Sequence, residues 1–102
     1  MIINETFNFE VAEKDESNEM TWDEAMEKFK DNPEGWRLPT RTELMLIYEH
    51  RKEIGSFEKA WYWSSITDDS IGAYIQDIDG GLQGWDFRRF INRVRCIREI
   101  RR

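Results

Sequence analysis

The first third of the chain alternates apolar and polar positions before it changes to a helical period. Phe7, Phe9 and Val11 alternate with polar residues, which is the period of a half-buried β-strand. A charged segment at residues 13–19 has no apolar member. The next apolar positions follow helical spacing: Trp22, Ala25, Met26 and Phe29. This spacing predicts an amphipathic helix that ends before Pro33, because the residue preceding a proline disfavours helical backbone.

The stretch 35–40 (GWRLPT) combines a turn, two apolar anchors and the start of a helix. A second helix is predicted from about residue 41 to residue 52, with Leu44, Ile47 and Tyr48 on one face and Gly55 as its stop signal. A capping box pairs a threonine hydroxyl with one orphan N–H and a glutamate carboxylate with another. Two such boxes are predicted, Thr21–Glu24 and Thr40–Glu43.

After Gly55 the apolar period changes to two. Residues 61–66, rich in aromatic side chains, and residues 73–78 predict two strands, with a turn between them at 68–70. Asp79-Gly80-Gly81 then predicts a hairpin turn, because both glycines accept positive φ.

The end of the chain is less uniform. Residues 83–92 show no clear period, and we expect an irregular segment there. Residues 92–98 alternate again, with Val94 and Cys96 on one face and Ile97 on the other, and predict a last strand. The order of one strand, two helices and several strands predicts an α+β fold that forms a single domain over residues 1–102.

Composition narrows the class of protein. The 102 residues include 14% aromatic residues and five tryptophans, which argues against disorder although 35% of the residues are charged. The sequence has no apolar run of membrane-spanning length, no signal-peptide pattern at Met1 and a single cysteine. We therefore expect a soluble, cytoplasmic protein without membrane contact; the oligomeric state is left open.

Charge is distributed unevenly along the chain. Residues 1–36 hold eleven acidic residues and three lysines, a formal charge of −8, whereas residues 88–102 hold seven arginines and one glutamate, a formal charge of +6. One interpretation is that the two ends pair with each other. The other is that the acidic face imitates nucleic acid or meets a basic protein patch.

Four motifs in order resemble a known family. They are residues 21–25 (TWDEA), 35–40 (GWRLPT) with Glu43 and Leu44, 62–65 (YWSS) and 94–98 (VRCIR). The series is similar to the C-terminal domain of Legionella-type collagen-like adhesins. That family belongs to the C-type-lectin-like superfamily, with phage tropism determinants and formylglycine-generating enzymes. The resemblance implies a C-type-lectin-like fold, with two helices packed on a small twisted antiparallel sheet and paired N- and C-terminal strands.

The motif residues have structural interpretations under that fold. Trp36, Leu38 and Trp63 would fill the core, and Ser64 and Ser65 would lie where no large side chain fits. Arg37 is either a guanidinium satisfied by backbone carbonyls or an acid such as Glu43, or a cation that binds a ligand.

Catalytic and metal chemistry have little support in the sequence. His50 is the single histidine and has no triad motif around it, and the strand spacing of Cys96 indicates a small core residue. We predict no enzyme, no cofactor and no metal site. Asp68, Asp69, Asp77 and Asp79 lie near turns, where turn chemistry explains them, although lectin-type domains often bind calcium through loop carboxylates.

The predicted binding segment is residues 79–89, between the late strands. Its candidate binding residues are Asp79, Gln83, Trp85, Arg88 and Arg89. Tryptophan and arginine are enriched in interaction hot spots, although Trp85 and Phe87 could equally belong to the core. The overall acidity argues against nucleic-acid binding through Arg98, Arg101 and Arg102.

We therefore predict a small cytoplasmic module that binds a protein partner. A narrower hypothesis is an inhibitor of a host protein encoded by a phage or another mobile element. The alternative is a calcium- or sugar-binding lectin-like domain.

Overall fold

The computed structural model describes residues 2–4, 8–67 and 71–100, with the backbone alone for 2–4. Phe7, the predicted turn at 68–70, Arg101 and Arg102 lie outside the described residues. The elements in chain order are β1 (Ile2–Asn4), β2 (Asn8–Val11), α1 (Trp22–Phe29), α2 (Arg41–Glu49), α3 (Arg51–Ile54), β3 (Trp61–Thr67), β4 (Gly72–Asp77), β5 (Gln83–Phe87) and β6 (Ile97–Glu99). This order confirms the α+β class.

Two three-stranded antiparallel sheets are formed within the described residues, in the orders β1-β2-β6 and β3-β4-β5. In the first, Phe9 pairs with Glu99 and Val11 with Ile97. The predicted pairing of N- and C-terminal strands is therefore observed. The expectation of one sheet was wrong. The ladder between β2 and β6 ends at Ile97, and residues 37, 92 and 93 form isolated bridges rather than a strand that would join the two sheets.

The sheet β3-β4-β5 has a hydrophobic cluster on each face. Trp63 packs with Trp22 and Ala25 of α1 in one cluster. The adjacent Tyr62 packs with Leu44 of α2 in the other cluster, which also contains Phe9, Val11, Ile47, Ile78 and Ile97. Because successive strand residues face opposite sides, the helices α1 and α2 cover opposite faces of this sheet.

Both capping boxes are present. Thr21 and Thr40 accept the backbone N–H of Glu24 and Glu43, and each glutamate side chain accepts the N–H of its threonine. The predicted helix 41–52 is instead two helices, because His50 has φ −104° and ψ 13° and interrupts the helical backbone. The described residues thus contain three helices rather than two.

Further differences lie in the second half of the chain. Residues 83–87, predicted to be irregular, form β5, and the predicted last strand 92–98 is reduced to β6. The predicted hairpin turn is present between β4 and β5, and within it Gly81 has φ +82°, whereas Gly80 is not in the positive-φ region. Val94 and Cys96 face one cluster and Ile97 the other, as the alternation predicts.

Residues 35–40 (GWRLPT) connect the sheet β1-β2-β6 to α2. Leu38 and Trp63 are fully buried, whereas Trp36 is only partly buried, with the Arg98 guanidinium 4.5 Å from the centre of its ring. Arg37 forms two hydrogen bonds to Glu43, at 2.8 and 2.9 Å, and a third to the carbonyl of Leu38. The Arg37 guanidinium is thus satisfied by an acid and a backbone carbonyl, as the first of its two interpretations predicts.

Acidic residues near the N-terminus pair with arginines near the C-terminus in reverse order. The pairs are Glu10–Arg98, Asp15–Arg95, Glu19–Arg93 and Asp23–Arg88. The pairing interpretation of the uneven charge is thereby confirmed for these residues. Within the described residues, no helix combines the length and the apolar character needed to cross a membrane.

Candidate functional site

The strand β5 lies at the edge of its sheet and pairs with β4 alone within the described residues. The Asp77 amide donates to the Leu82 carbonyl, and the Arg88 amide donates to the Ile71 carbonyl. In an antiparallel pair the hydrogen-bonded positions alternate, so even-numbered residues of β5 direct their backbone groups to β4. The outward-directed positions are Gln83, Trp85 and Phe87.

Four aromatic side chains form a continuous row beside this edge, the aromatic row Tyr74, Trp85, Phe87 and Phe90. Tyr74 is directly opposite Trp85 in the ladder, at a non-hydrogen-bonded position where side chains approach most closely. Trp85 meets Phe87 edge-to-face at 5.2 Å between ring centroids, and Phe87 meets Phe90 in the same way at 5.5 Å. Trp85 is 48% exposed and Phe90 45%. The row is therefore a partly exposed aromatic surface that spans β4, β5 and the segment after β5.

Two arginines flank the aromatic row. The Arg41 guanidinium lies 3.9 Å from the centre of the Tyr74 ring. The Arg89 guanidinium lies 5.0 Å from the ring centre of Phe87 and 5.2 Å from that of Phe90. Cation–π contacts of this kind hold a guanidinium over a ring while its N–H groups stay available to other acceptors.

The backbone under Trp85 explains how its ring is positioned. Gly72 faces the ring, and a β-carbon at Gly72 would lie 2.6 Å from Cε3 of Trp85. Glycine at this position therefore allows the indole to lie against the β4 backbone. At the start of the strand, the Gln83 side-chain amide donates to the Arg41 carbonyl at 2.9 Å. Both contacts fix β5 against its neighbours.

A cleft of about 410 Å³ borders the row on the side of α1. Thr21, Asp23, Ile71, Phe87, Arg88 and Arg89 line it. Arg88 stacks over the Trp22 ring at 4.6 Å and is hydrogen-bonded and ion-paired to Asp23. Its guanidinium is thus held against α1, away from the aromatic row.

The structure brings three of the five predicted binding residues together. Gln83 and Trp85 share one face of β5, and Arg89 flanks the same row. Arg88 is turned toward α1, and Asp79 is exposed in the hairpin turn next to the strand start. Trp85 is exposed and is therefore not a core residue, whereas Phe87 is half-buried.

Sequence reasoning missed three participants in this surface. Arg41, Tyr74 and Phe90 come from α2, from β4 and from the segment after β5. Only the strand register and the helix packing bring them to Trp85, and no spacing along the chain signals that proximity. The alternation of Trp85 and Phe87 about Asp86 was the one local indication of a strand.

Side chains with possible catalytic roles lie elsewhere. Cys96 is 3% exposed, and burial raises the pKa of its thiol to about 12. His50 is the C-cap residue of α2, and its Nδ1 lies 3.4 Å from Oε2 of Glu53. Within residues 8–67 and 71–100, no three His, Cys, Asp or Glu side chains are grouped as metal ligands; Asp68 and Asp69 lie outside these ranges.

No protein-family model matches the chain, and no curated protein matches its sequence.

Proposed function

We propose that this chain is a small protein-binding module whose recognition surface is the aromatic row with Arg41 and Arg89. The observation that carries this proposal is the exposure of Trp85 on β5 and of Phe90 just after it, within one row of packed rings. Single exposed apolar residues are ordinary, but a contiguous exposed patch marks a site of interaction. Tryptophan and arginine are the residue types that most often dominate such interfaces.

The rigidity of the row supports the same proposal. The rings pack edge-to-face on one another, Trp85 rests on Gly72, and Gln83 is hydrogen-bonded to the start of α2. A surface that is ordered before binding loses little conformational entropy when a partner arrives. This arrangement suits the burial of a partner's apolar side chains between two fixed guanidinium groups.

Binding rather than catalysis is the proposed role. The thiol of Cys96 is buried and has a raised pKa, so a reactive thiolate is disfavoured there. This burial supports a binding role over one that needs a cysteine nucleophile.

A narrower version of the proposal rests on the family resemblance. The four motifs occur in the order of a C-type-lectin-like domain, and the pairing of β2 with β6 supports that fold. The small size and the net charge of −6 support an inhibitor of a host protein, encoded by a phage or another mobile element. The cytoplasmic location stays a prediction from the composition.

Affinity capture with mass spectrometry tests the proposed surface. Wild type, W85A, R89A and I66A are immobilised and exposed to one bacterial lysate at moderate salt. Ile66 is 38% exposed on β3, two strands away from β5, and serves as the matched control. A protein retained by wild type and I66A but lost on W85A supports the proposal. Retention of the same proteins by W85A would overturn it.

A further inference from the structure

The outer edge of β5 presents backbone groups that are not paired within the described residues. Phe87 is closed to a partner, because its amide donates to Oδ1 of Asp86 and its carbonyl accepts from the Phe90 amide. Gln83 and Trp85 direct their amides and carbonyls outward, where no described strand lies. Such groups form the template on which an extended chain adds a strand.

The length of this edge defines the size of the segment it would hold. The five residues of β5 span about 17 Å at about 3.4 Å per residue. Arg41 is tied to Gln83 at the start of the strand, and Arg89 follows its end by two residues. A partner strand of about five or six residues therefore brings its two ends close to these two arginines.

The charges at this edge indicate the chemistry of the partner. In the described part of the chain, arginines 37, 88, 93, 95 and 98 all have carboxylate partners. Arg41, Arg51 and Arg89 have none there, although the chain carries 21 acidic residues. Arg51 lies over the Tyr48 ring and donates to the Tyr48 carbonyl, whereas Arg41 and Arg89 flank the aromatic row of this edge. Their charges are thus left to be matched by acceptors from outside, and a carboxylate fits a guanidinium with two parallel hydrogen bonds.

Resting on the proposed function, we infer that the partner adds an extended strand to the outer edge of β5 and carries Asp or Glu near both ends of that strand. Its centre pairs with the backbone of Trp85 and places apolar side chains on the aromatic row. Its terminal carboxylates meet Arg41 and Arg89.

Hydrogen exchange measures this strand addition directly. The probe is a synthetic peptide selected by wild-type protein from a random 12-residue library, with W85A as counter-selection. In free protein, we expect the Gln83 and Trp85 amides to exchange fast and the Gly84 and Asp86 amides, which face β4, to exchange slowly. Saturation with the peptide slows exchange at Gln83 and Trp85 by at least about tenfold, since these amides gain hydrogen-bond acceptors.

Two sets of variants separate the backbone from the charges. Q83P removes the outward amide, whereas Q83A removes the same side-chain contacts and keeps that amide. We expect Q83A to weaken peptide binding, because the contacts to Arg41 are lost, and Q83P to abolish it. The double variant R41A/R89A weakens binding at least about tenfold and reduces its salt dependence, whereas K59A, at an exposed lysine outside this edge, does not.

The outcomes of these experiments distinguish strand addition, the acidic character of the partner and the proposed function from one another. Peptide binding that requires Trp85 but leaves the Gln83 and Trp85 amides unprotected overturns strand addition and leaves the proposed function standing. Selected peptides without acidic residues, or an unchanged affinity in R41A/R89A, overturn the acidic partner. Failure to select any peptide overturns the inference as a whole. The proposed function fails separately, if W85A retains the proteins captured by wild type.

Discussion

Asp15 and Arg95, 80 residues apart in sequence, form a buried ion pair with Nε 2.7 Å from Oδ1. The Arg95 side chain is fully buried and that of Asp15 is 10% exposed. The remaining donors of Arg95 are satisfied by carbonyls, including those of Ala12 and Ser56, and the Tyr62 hydroxyl donates to Asp15. This network fastens the N-terminal loop to β3 and to the segment before β6, and it holds the scaffold that carries β5.

Replacing Asp15 by asparagine is expected to destabilise the protein by about 3 kcal/mol, because Arg95 is left buried without a counter-charge. Urea unfolding measures the change in the free energy of unfolding. The control is E16Q, whose partner Lys28 is 54% exposed, and it is expected to cost less than about 1 kcal/mol. Equal losses of unfolding free energy in D15N and E16Q would contradict the larger contribution assigned to the buried pair.

Much of the local structure could be predicted from the sequence. The capping residues Thr21 and Thr40, the stop at Gly55 and the two-residue period of β3 are local signals, and the structure follows them. The break at His50, with φ −104° and ψ 13°, has no such signal, because no proline or glycine precedes it in the helix.

Long-range relationships could not be predicted in the same way. The Asp15–Arg95 network and the row through Tyr74 and Trp85 depend on strand register and on contacts between distant segments. The sequence indicated Trp85, Gln83 and Arg89 as residue types suited to binding, but it could not show that Arg88 turns toward α1.

The Arg37–Glu43 pair predicts a dependence of stability on pH. Burial of Glu43 opposes its ionisation, but hydrogen bonds from Arg37 and Thr40 outweigh burial and lower the pKa of Glu43 from its ordinary value of 4.5. A carboxylate with a lowered pKa in the folded state stabilises the fold above its unfolded pKa. That contribution is lost as pH falls through the folded pKa.

Replacing Glu43 by glutamine keeps a capping side chain and removes the charge. We expect E43Q to be less stable than wild type by about 1 kcal/mol at pH 7, a modest value because solvent screens the partly exposed partner, Arg37. The difference is expected to shrink below about pH 4.5. Urea unfolding at pH 7 and pH 3 measures it, and a gap of equal size at both values would contradict the assignment.

Two glycines with nearly equal φ angles allow backbone strain to be distinguished from steric clash. Gly35 has φ +81° with open space at its β-carbon position, whereas a β-carbon at Gly81 would lie 2.6 Å from Cζ of Tyr48. G35A is expected to cost about 1 kcal/mol from backbone strain alone. G81A is expected to cost at least about 1 kcal/mol more than G35A, because the Tyr48 ring must shift.

Thermal or urea unfolding of the two variants gives the comparison. A G81A variant as stable as G35A would show that Tyr48 moves freely and that the hairpin turn is not packed against α2.

Site-specific photocrosslinking in cells tests the recognition surface most directly. The photoreactive residue p-benzoylphenylalanine replaces Trp85, Phe90 or Ile66, one at a time, and irradiation precedes denaturing purification. The account predicts a covalent adduct with the same partner protein at positions 85 and 90, and only background at position 66. Adducts at position 66 as strong as those at 85, or none at 85 and 90, would contradict the claim that the aromatic row meets the partner.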